Sequence, residues 1–182
     1  MFWYNSGVIK ETCVNSSNVE RTLILFKPDA VQRGIVGEIL NRFERVGLKI
    51  VGTKMIAPTK EHYFRHYEEI GQMITRRGQD KFDITLEMMT EGPVIAMVLE
   101  GVEAVELVRK LVGPTEPKSA APGTIRGDYS HMSFGYADNV NRGIPNLIHA
   151  SGDSKEAKEE VSHWFSDEEL YDYSALNDKF TR

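Results

Sequence analysis

Leu23 to Phe26 form an unbroken apolar run, bounded by Thr22 on one side and Lys27-Pro28 on the other. A short run of this kind reads as a buried strand, Thr22 to Phe26. Val36, Ile39, Leu40, Phe43 and Val46 then recur at helical spacing before Gly47, a natural helix stop. Leu48 to Ala57 alternates as a second strand, and Pro58-Thr59 introduces a helix carrying Tyr63, Phe64, Tyr67 and Ile70. Gly71 to Gly78 breaks the pattern, and a short helical piece, Phe82 to Met89, precedes Gly92-Pro93. Val94 to Leu99 is a third strand, Val102 to Val112 a helix between Gly101 and Gly113, and Asn146 to His149 a fourth strand. Ser154 opens an amphipathic segment that runs to Phe165.

Apart from the helical hairpin between Thr59 and Met89, the order is β-α-β-β-α-β. That order predicts an α+β fold, a ferredoxin-like antiparallel sheet with helices on one face. The chain has 182 residues, 41% of them hydrophobic and 27% charged, which suits one domain with one sizeable core. Residues 1–19 precede the periodic pattern and have neither a basic start nor a long apolar core, so they read as a flexible extension before a domain over 20–182. The net charge of −5 argues against a nucleic-acid partner. No apolar run approaches the roughly twenty residues of a membrane helix. Cys13 is the only cysteine, so no intrachain disulfide forms and a reducing, cytoplasmic setting is the simpler expectation.

Candidate chemistry begins at Asn146-Leu-Ile-His149-Ala-Ser151, where an apolar run delivers one histidine to a small-residue turn ahead of a helix. Imidazole, with an ordinary pKa of about 6.5, is nucleophilic at neutral pH and can carry a phosphoryl group. Lone histidines are more often surface or satisfied core groups, so the rest of the chain has to decide. Lys27-Pro28-Asp29 ends the first strand with a proline that cannot donate to a ladder. Gly113-Pro-Thr115 and Pro122-Gly-Thr-Ile-Arg126-Gly-Asp128 are loop segments with a hydroxyl and an arginine. Neither a G-x-x-x-x-G-K-[S/T] loop nor a G-x-G-x-x-G turn occurs, so a phosphate site must rest on side chains. Lys27, Arg109 and Arg126 are the natural cations, since guanidinium binds phosphate as a fork and lysine as a point charge. Arg109 by itself reads as a solvated residue on a helix.

Taken together and in order, the Lys-Pro-Asp, Pro-Gly-Thr-Ile-Arg-Gly-Asp and Asn-x-Ile-His-x-Ser elements resemble the nucleoside diphosphate kinase family, over roughly Glu20 to Tyr173. The resemblance implies the same fold. It also implies transfer of the γ-phosphate of ATP or another nucleoside triphosphate to a nucleoside diphosphate, with His149 phosphorylated in a ping-pong cycle. Lys27 and Asn146 would contact ribose hydroxyls and terminal phosphates, and Arg109, Thr115 and Arg126 the phosphate chain. Glu160 would accept a hydrogen bond from the other imidazole nitrogen, with Glu159 as the registration alternative; Tyr67 and Ser151 would orient the ring or the phosphate. Mg²⁺ would arrive on the nucleotide phosphates, with no metal ligands from the protein. A homo-oligomer, hexamer or tetramer, is implied as well.

Two stretches depart from the family pattern. Gly71 to Gly78 replaces a short segment whose phenylalanine stacks on the base, and Phe82 is the nearest substitute. A second extension, 130–145, precedes the histidine strand; its His131 has no ligand partner at a metal-site spacing and reads as a surface residue. Asp128 and Asp153 read equally well as polar caps. The competing reading is a nucleotide-binding scaffold that kept the fold and lost efficient transfer.

Overall fold

The computed structural model describes residues 18–181. Four strands, β1 (Val19–Phe26), β2 (Lys49–Ile56), β3 (Val94–Val102) and β4 (Ile148–Ala150), form one sheet in the order β2-β3-β1-β4, with every pairing antiparallel. The helices are α1 (Pro28–Gln32), α2 (Val36–Glu44), α3 (Lys60–Phe64), α4 (Met73–Arg77), α5 (Gln79–Met89), α6 (Ala104–Val112), α7 (Ile125–Tyr129), α8 (Phe134–Asn139), α9 (Ser154–Trp164) and α10 (Asp178–Thr181). β1, α2, β2, β3, α6 and β4 are the β-α-β-β-α-β frame that the hydrophobic pattern predicts. The expected extension over 1–19 lies outside the described residues except at its end, where Val19 already pairs with Val102. Among the described residues no helix is long and apolar enough to cross a membrane.

Helices cover both faces of the sheet, not one. On β1, Ile24 and Phe26 join Ile39, Phe43, Leu99 and Val108 in a core beneath α2 and α6. Leu23 and Leu25 point the other way, into a second core with Tyr63, Met89, Val98, Val161 and Trp164 from the helical hairpin and α9. An unbroken apolar run on a period-two strand exposes hydrophobic surface on both sides, so both sides must be covered. The edge strand β2 is covered too: Tyr171 N donates to Val51 O at 2.7 Å and Tyr173 Oη to Ile50 O at 2.8 Å, which occupies carbonyls a foreign strand would otherwise use.

Local details depart from the simple pattern. The helix read through Tyr63 and Ile70 is α-helical only to Phe64, then π-helical over Arg65–Ile70, a wider turn that often marks functional sites. The 71–78 break contains α4, and the 130–145 extension contains α8. Gly113 ends α6 at φ +84, and a Cβ there would sit 2.8 Å from Thr124 Oγ1, so glycine is required where that loop meets α7.

Candidate active site

Strand β4 is too short to hold its place by ladder bonds alone, and the segment leading into it is fixed by side chains. Leu147 has φ +73, a conformation unfavourable for a branched residue. It is held from both sides: Leu147 N donates to Asp29 Oδ2 at 3.0 Å, and Leu147 O accepts from Lys27 N at 2.9 Å. Strain of this size persists only where its surroundings dictate it, and such positions cluster at functional sites. Two residues later His149 pairs with Leu25 of β1 and reaches a cavity of about 570 Å³.

His149 Nε2 lies 2.9 Å from Glu160 Oε1, and the second carboxylate oxygen of Glu160 accepts from Ser151 Oγ at 2.6 Å. Ser151 Oγ in turn accepts from Leu23 N at 3.2 Å, which ties the group to β1. Glu160 is buried on α9, whereas Glu159 is exposed beside Lys155, so the carboxylate meeting the imidazole is Glu160. Burial pushes the Glu160 carboxyl up, but His149, through its charge and its hydrogen bond, together with His66 and Ser151, outweighs this and holds it at about 2. With Nε2 committed to Glu160, Nδ1 is the ring nitrogen left for a ligand. Asp153 is the N-cap of α9, accepting from Lys155 N and Glu156 N, and Asp128 accepts from Gly123 N and pairs with Arg42. Both act as caps and loop ties.

The cations converge on the same cavity. Lys27 Nζ donates to Asn146 Oδ1 at 2.7 Å, and Asn146 Nδ2 donates to Thr115 O at 2.9 Å, joining three loops. Burial, then the charge of Arg126, pulls the Lys27 ammonium down to about 8, with Asp29 opposing. Arg126 has a structural duty that sequence reasoning did not foresee. Its Nε, Nη1 and Nη2 donate to the carbonyls of Asn146, Gly113 and Ile148 at 3.1, 2.9 and 2.5 Å, which leaves two of five N–H bonds for a ligand. Arg109, in the last turn of α6, donates only a 3.4 Å bond to Ser151 O. Tyr67 Oη is buried without a partner and lines the cavity, and burial pushes its pKa up, so it stays a protonated donor.

Phe82 corrects an expectation, because it does not line this cavity. α5 turns it into the interior, where it is almost fully buried and meets Phe64 edge-on at 5.8 Å between centroids. The apolar lining comes instead from Met73, Met88, Val112 and Ile144. Asp29, Leu147 and His66 also escaped the sequence reading as site residues. The Lys-Pro-Asp element was the available signal for Asp29; nothing local marked the other two. His131 is exposed, as read.

His66 stands 4.5 Å from His149 between ring centroids, nearly perpendicular, and its Nδ1 accepts from Trp164 Nε1 at 3.2 Å. His62 stacks on His163 at 3.9 Å against the same tryptophan. Burial, followed by the charge of neighbouring histidines, holds His66 well below its ordinary value; burial and the charges of His163, Lys54 and Arg65 take His62 to about 4. A histidine with a depressed folded pKa binds its proton more readily unfolded, so stability falls as pH drops from 6.5 towards 4. The contribution of Glu160 is complete above 4.5 and is lost only as pH falls towards 2. The melting temperature should therefore start to decline below about pH 6.5 and steepen below 4.5. Thermal unfolding between pH 8 and 4 measures this; a flat profile from 7 to 5 would show that the histidine cluster does not govern it.

Among the described residues, His66, His149 and Glu160 form the one group that could hold a metal ion, and Trp164 already occupies Nδ1 of His66. A family model described as nucleoside diphosphate kinase matches residues 20–170. The nucleoside diphosphate kinase of Pyrococcus furiosus is 48% identical over 166 residues, which is 91% of this chain and 95% of that one. Among solved structures, the nucleoside-diphosphate kinase of Borrelia burgdorferi, a transition-state mimic with bound vanadate and ADP, has a TM-score of 0.87 at 40% identity, covering 90% of this chain and 97% of that one. A halophilic nucleoside diphosphate kinase from Halobacterium salinarum in complex with CDP has a TM-score of 0.75 at 39% identity, covering 88% and 97%. With matches at this level along most of its length, and with the His149–Glu160 pair set among buried cations, the chain belongs to the nucleoside diphosphate kinase family.

Proposed function

We propose that this protein transfers the γ-phosphate of a nucleoside triphosphate to a nucleoside diphosphate through a phosphohistidine at His149. The observation that carries this reading is the His149–Glu160 contact at the wall of a cationic cavity, which commits Nε2 and leaves Nδ1 as nucleophile. Nδ1 attacks the γ-phosphorus, the bond to the bridging oxygen breaks, and the nucleoside diphosphate leaves with that electron pair. The ring is then cationic and keeps its Nε2 proton, which Glu160 holds in a charge-assisted hydrogen bond. A second diphosphate reverses the steps and collects the group.

Phosphoryl transfer runs through a loose transition state with its charge spread over oxygens, so fixed cations and alignment supply most of the catalysis. In this reading Lys27 and the Tyr67 hydroxyl meet the transferring group. Arg109, Thr115 and the two free N–H bonds of Arg126 meet the rest of the chain of phosphates, and Asn146 holds Lys27 in place and faces the ribose. Ser151 positions Glu160. The base rests on the apolar lining of Met73, Val112 and Ile144, and not on Phe82. Mg²⁺ fits as a cation carried on the nucleotide. Of the lining carboxylates, Glu160 has both oxygens engaged, by His149 and Ser151, while Asp153 and Glu156 each place one oxygen on backbone N–H groups, so phosphate oxygens and water would supply most of its ligands. When bound, it would neutralise charge on the phosphates.

A cytoplasmic homo-oligomer, hexamer or tetramer, completes the proposal. Met55 on the edge strand and Tyr171, Leu176 and Phe180 in the C-terminal segment are large, exposed apolar side chains that support a subunit contact. The single cysteine supports a reducing compartment. Incubation with γ-labelled radioactive ATP should leave an acid-labile, alkali-stable label on the protein that unlabelled nucleoside diphosphate discharges. An acid-stable label, or none, would contradict the phosphohistidine.

A further inference from the structure

Arg77 lines the cavity although it takes no part in the phosphate reading above. It ends α4, a five-residue helix bracketed by Gln72 at φ +50 and Gly78 at φ +89. Glu68 anchors the start of that helix by accepting from Ile74 N at 2.5 Å and Thr75 Oγ1 at 3.2 Å. The guanidinium of Arg77 lies over the ring of Phe134, 5.7 Å from its centroid. Phe134 is itself fixed: it is the first residue of α8, and its N–H donates to Glu116 Oε1 at 2.9 Å. Lys81 pairs with Asp138, and Arg142 approaches Glu91 at 3.6 Å, which holds the 130–145 extension against α5 and the turn that follows it. The two segments that depart from the family pattern thus meet here, and each adds to the cavity lining, Arg77 from one and Ile144 from the other.

The other cavity arginines are occupied to differing degrees. Arg126 serves three carbonyls, Arg109 donates to Ser151 O and Arg76 to Gly71 O. Among the described residues Arg77 has no hydrogen-bond acceptor and no carboxylate partner, only the face of Phe134. An aromatic face holds a guanidinium plane while leaving its edge donors free for a bidentate anion. Its charge also reaches the phosphate end of the cavity, where it contributes, after burial and Arg126, to the lowered pKa of Lys27. Several like charges around one space repel until a polyanion fills it.

We propose that Arg77 is a substrate-binding residue that contacts the phosphate chain of the nucleotide from the side of the two extensions, with Phe134 holding its guanidinium in place. This rests on the phosphate reading of the cavity. The test compares wild type with Arg77→Ala, Arg77→Lys and Phe134→Leu by calorimetric ADP affinity, by kcat/KM with ATP, GTP, CTP and UTP, and by thermal unfolding. Arg77→Ala should weaken ADP binding roughly tenfold and lower kcat/KM by a similar factor for all four donors, because phosphates are common to them. Arg77→Lys should recover part of the loss and Phe134→Leu should show a smaller loss, all without a fall in melting temperature for the Arg77 variants. Unchanged ADP affinity in Arg77→Ala would overturn the proposal, as would a loss confined to one base, which would make Arg77 a base contact. If the wild-type protein transferred no phosphoryl group from any donor, the phosphotransfer reading would fail, while the ADP affinities would still decide the role of Arg77.

Discussion

Replacing His149 by alanine will abolish phosphoryl transfer between nucleotides, a loss on the order of 10⁴-fold or more, since no second group can take over a covalent step. ADP affinity should change little, because Lys27, Arg109, Thr115 and Arg126 remain. The alternative nucleophiles are weak in physical terms. His66 accepts the Trp164 N–H at Nδ1, so its neutral ring carries its own proton on the buried Nε2; His62 and His163 stack on one another outside the cavity lining, and His131 is exposed and outside it too. Mapping the phosphorylated residue in wild-type protein, together with coupled-assay turnover of the variant, checks the assignment. Sustained turnover, or phosphate on any of those four histidines, would defeat it.

Arg126→Ala should damage both stability and rate. Three carbonyls, of Asn146, Gly113 and Ile148, lose their donor together, and an unpaired buried acceptor costs about 1 to 3 kcal/mol. Partial relaxation and water entry reduce the sum, so a loss of about 2 to 4 kcal/mol is expected, a fall of roughly 5 to 15 °C in melting temperature. Removing a cation from the phosphate region should in addition lower kcat by about 10² to 10³. Arg126→Lys restores the charge, held by burial and Arg109 at a pKa of about 10 in the native arginine, but cannot serve three diverging carbonyls. It should therefore lie between alanine and wild type in rate while staying low in stability. Differential scanning calorimetry and kcat/KM separate the two effects; an unchanged melting temperature in Arg126→Ala would show that the three carbonyls find other partners.

Much of the frame was legible because it is local. A run such as Leu23 to Phe26 has no polar side to expose, and Val36, Ile39, Phe43 and Val46 recur at the period of a helix, so element type follows from short-range geometry. The motifs around Lys27, Arg126 and His149 were legible for a different reason, as residue types at turns whose order matched a family. Element ends drifted by a few residues: Val102 belongs to β3 and not to the following helix, and β4 starts at Ile148. Cooperative pairing decides ends, and only the partner strand reveals them.

The sequence by itself determined the β-α-β-β-α-β order, the single histidine presented at a turn and the side-chain basis of phosphate binding, since each depends on neighbours within a few residues. Tertiary structure alone decided the rest, because those features depend on groups far apart in the chain. Lys27 meets Asn146 across 119 residues, and Asp29 holds the strained Leu147 across 118. The same long-range packing covered both faces of the sheet, spent most of the donors of Arg126 on backbone and buried Phe82. It also brought Arg77 and Phe134 together at the cavity, because excluding water from an apolar surface and satisfying a buried donor are settled by whatever lies opposite in space, not by position along the chain.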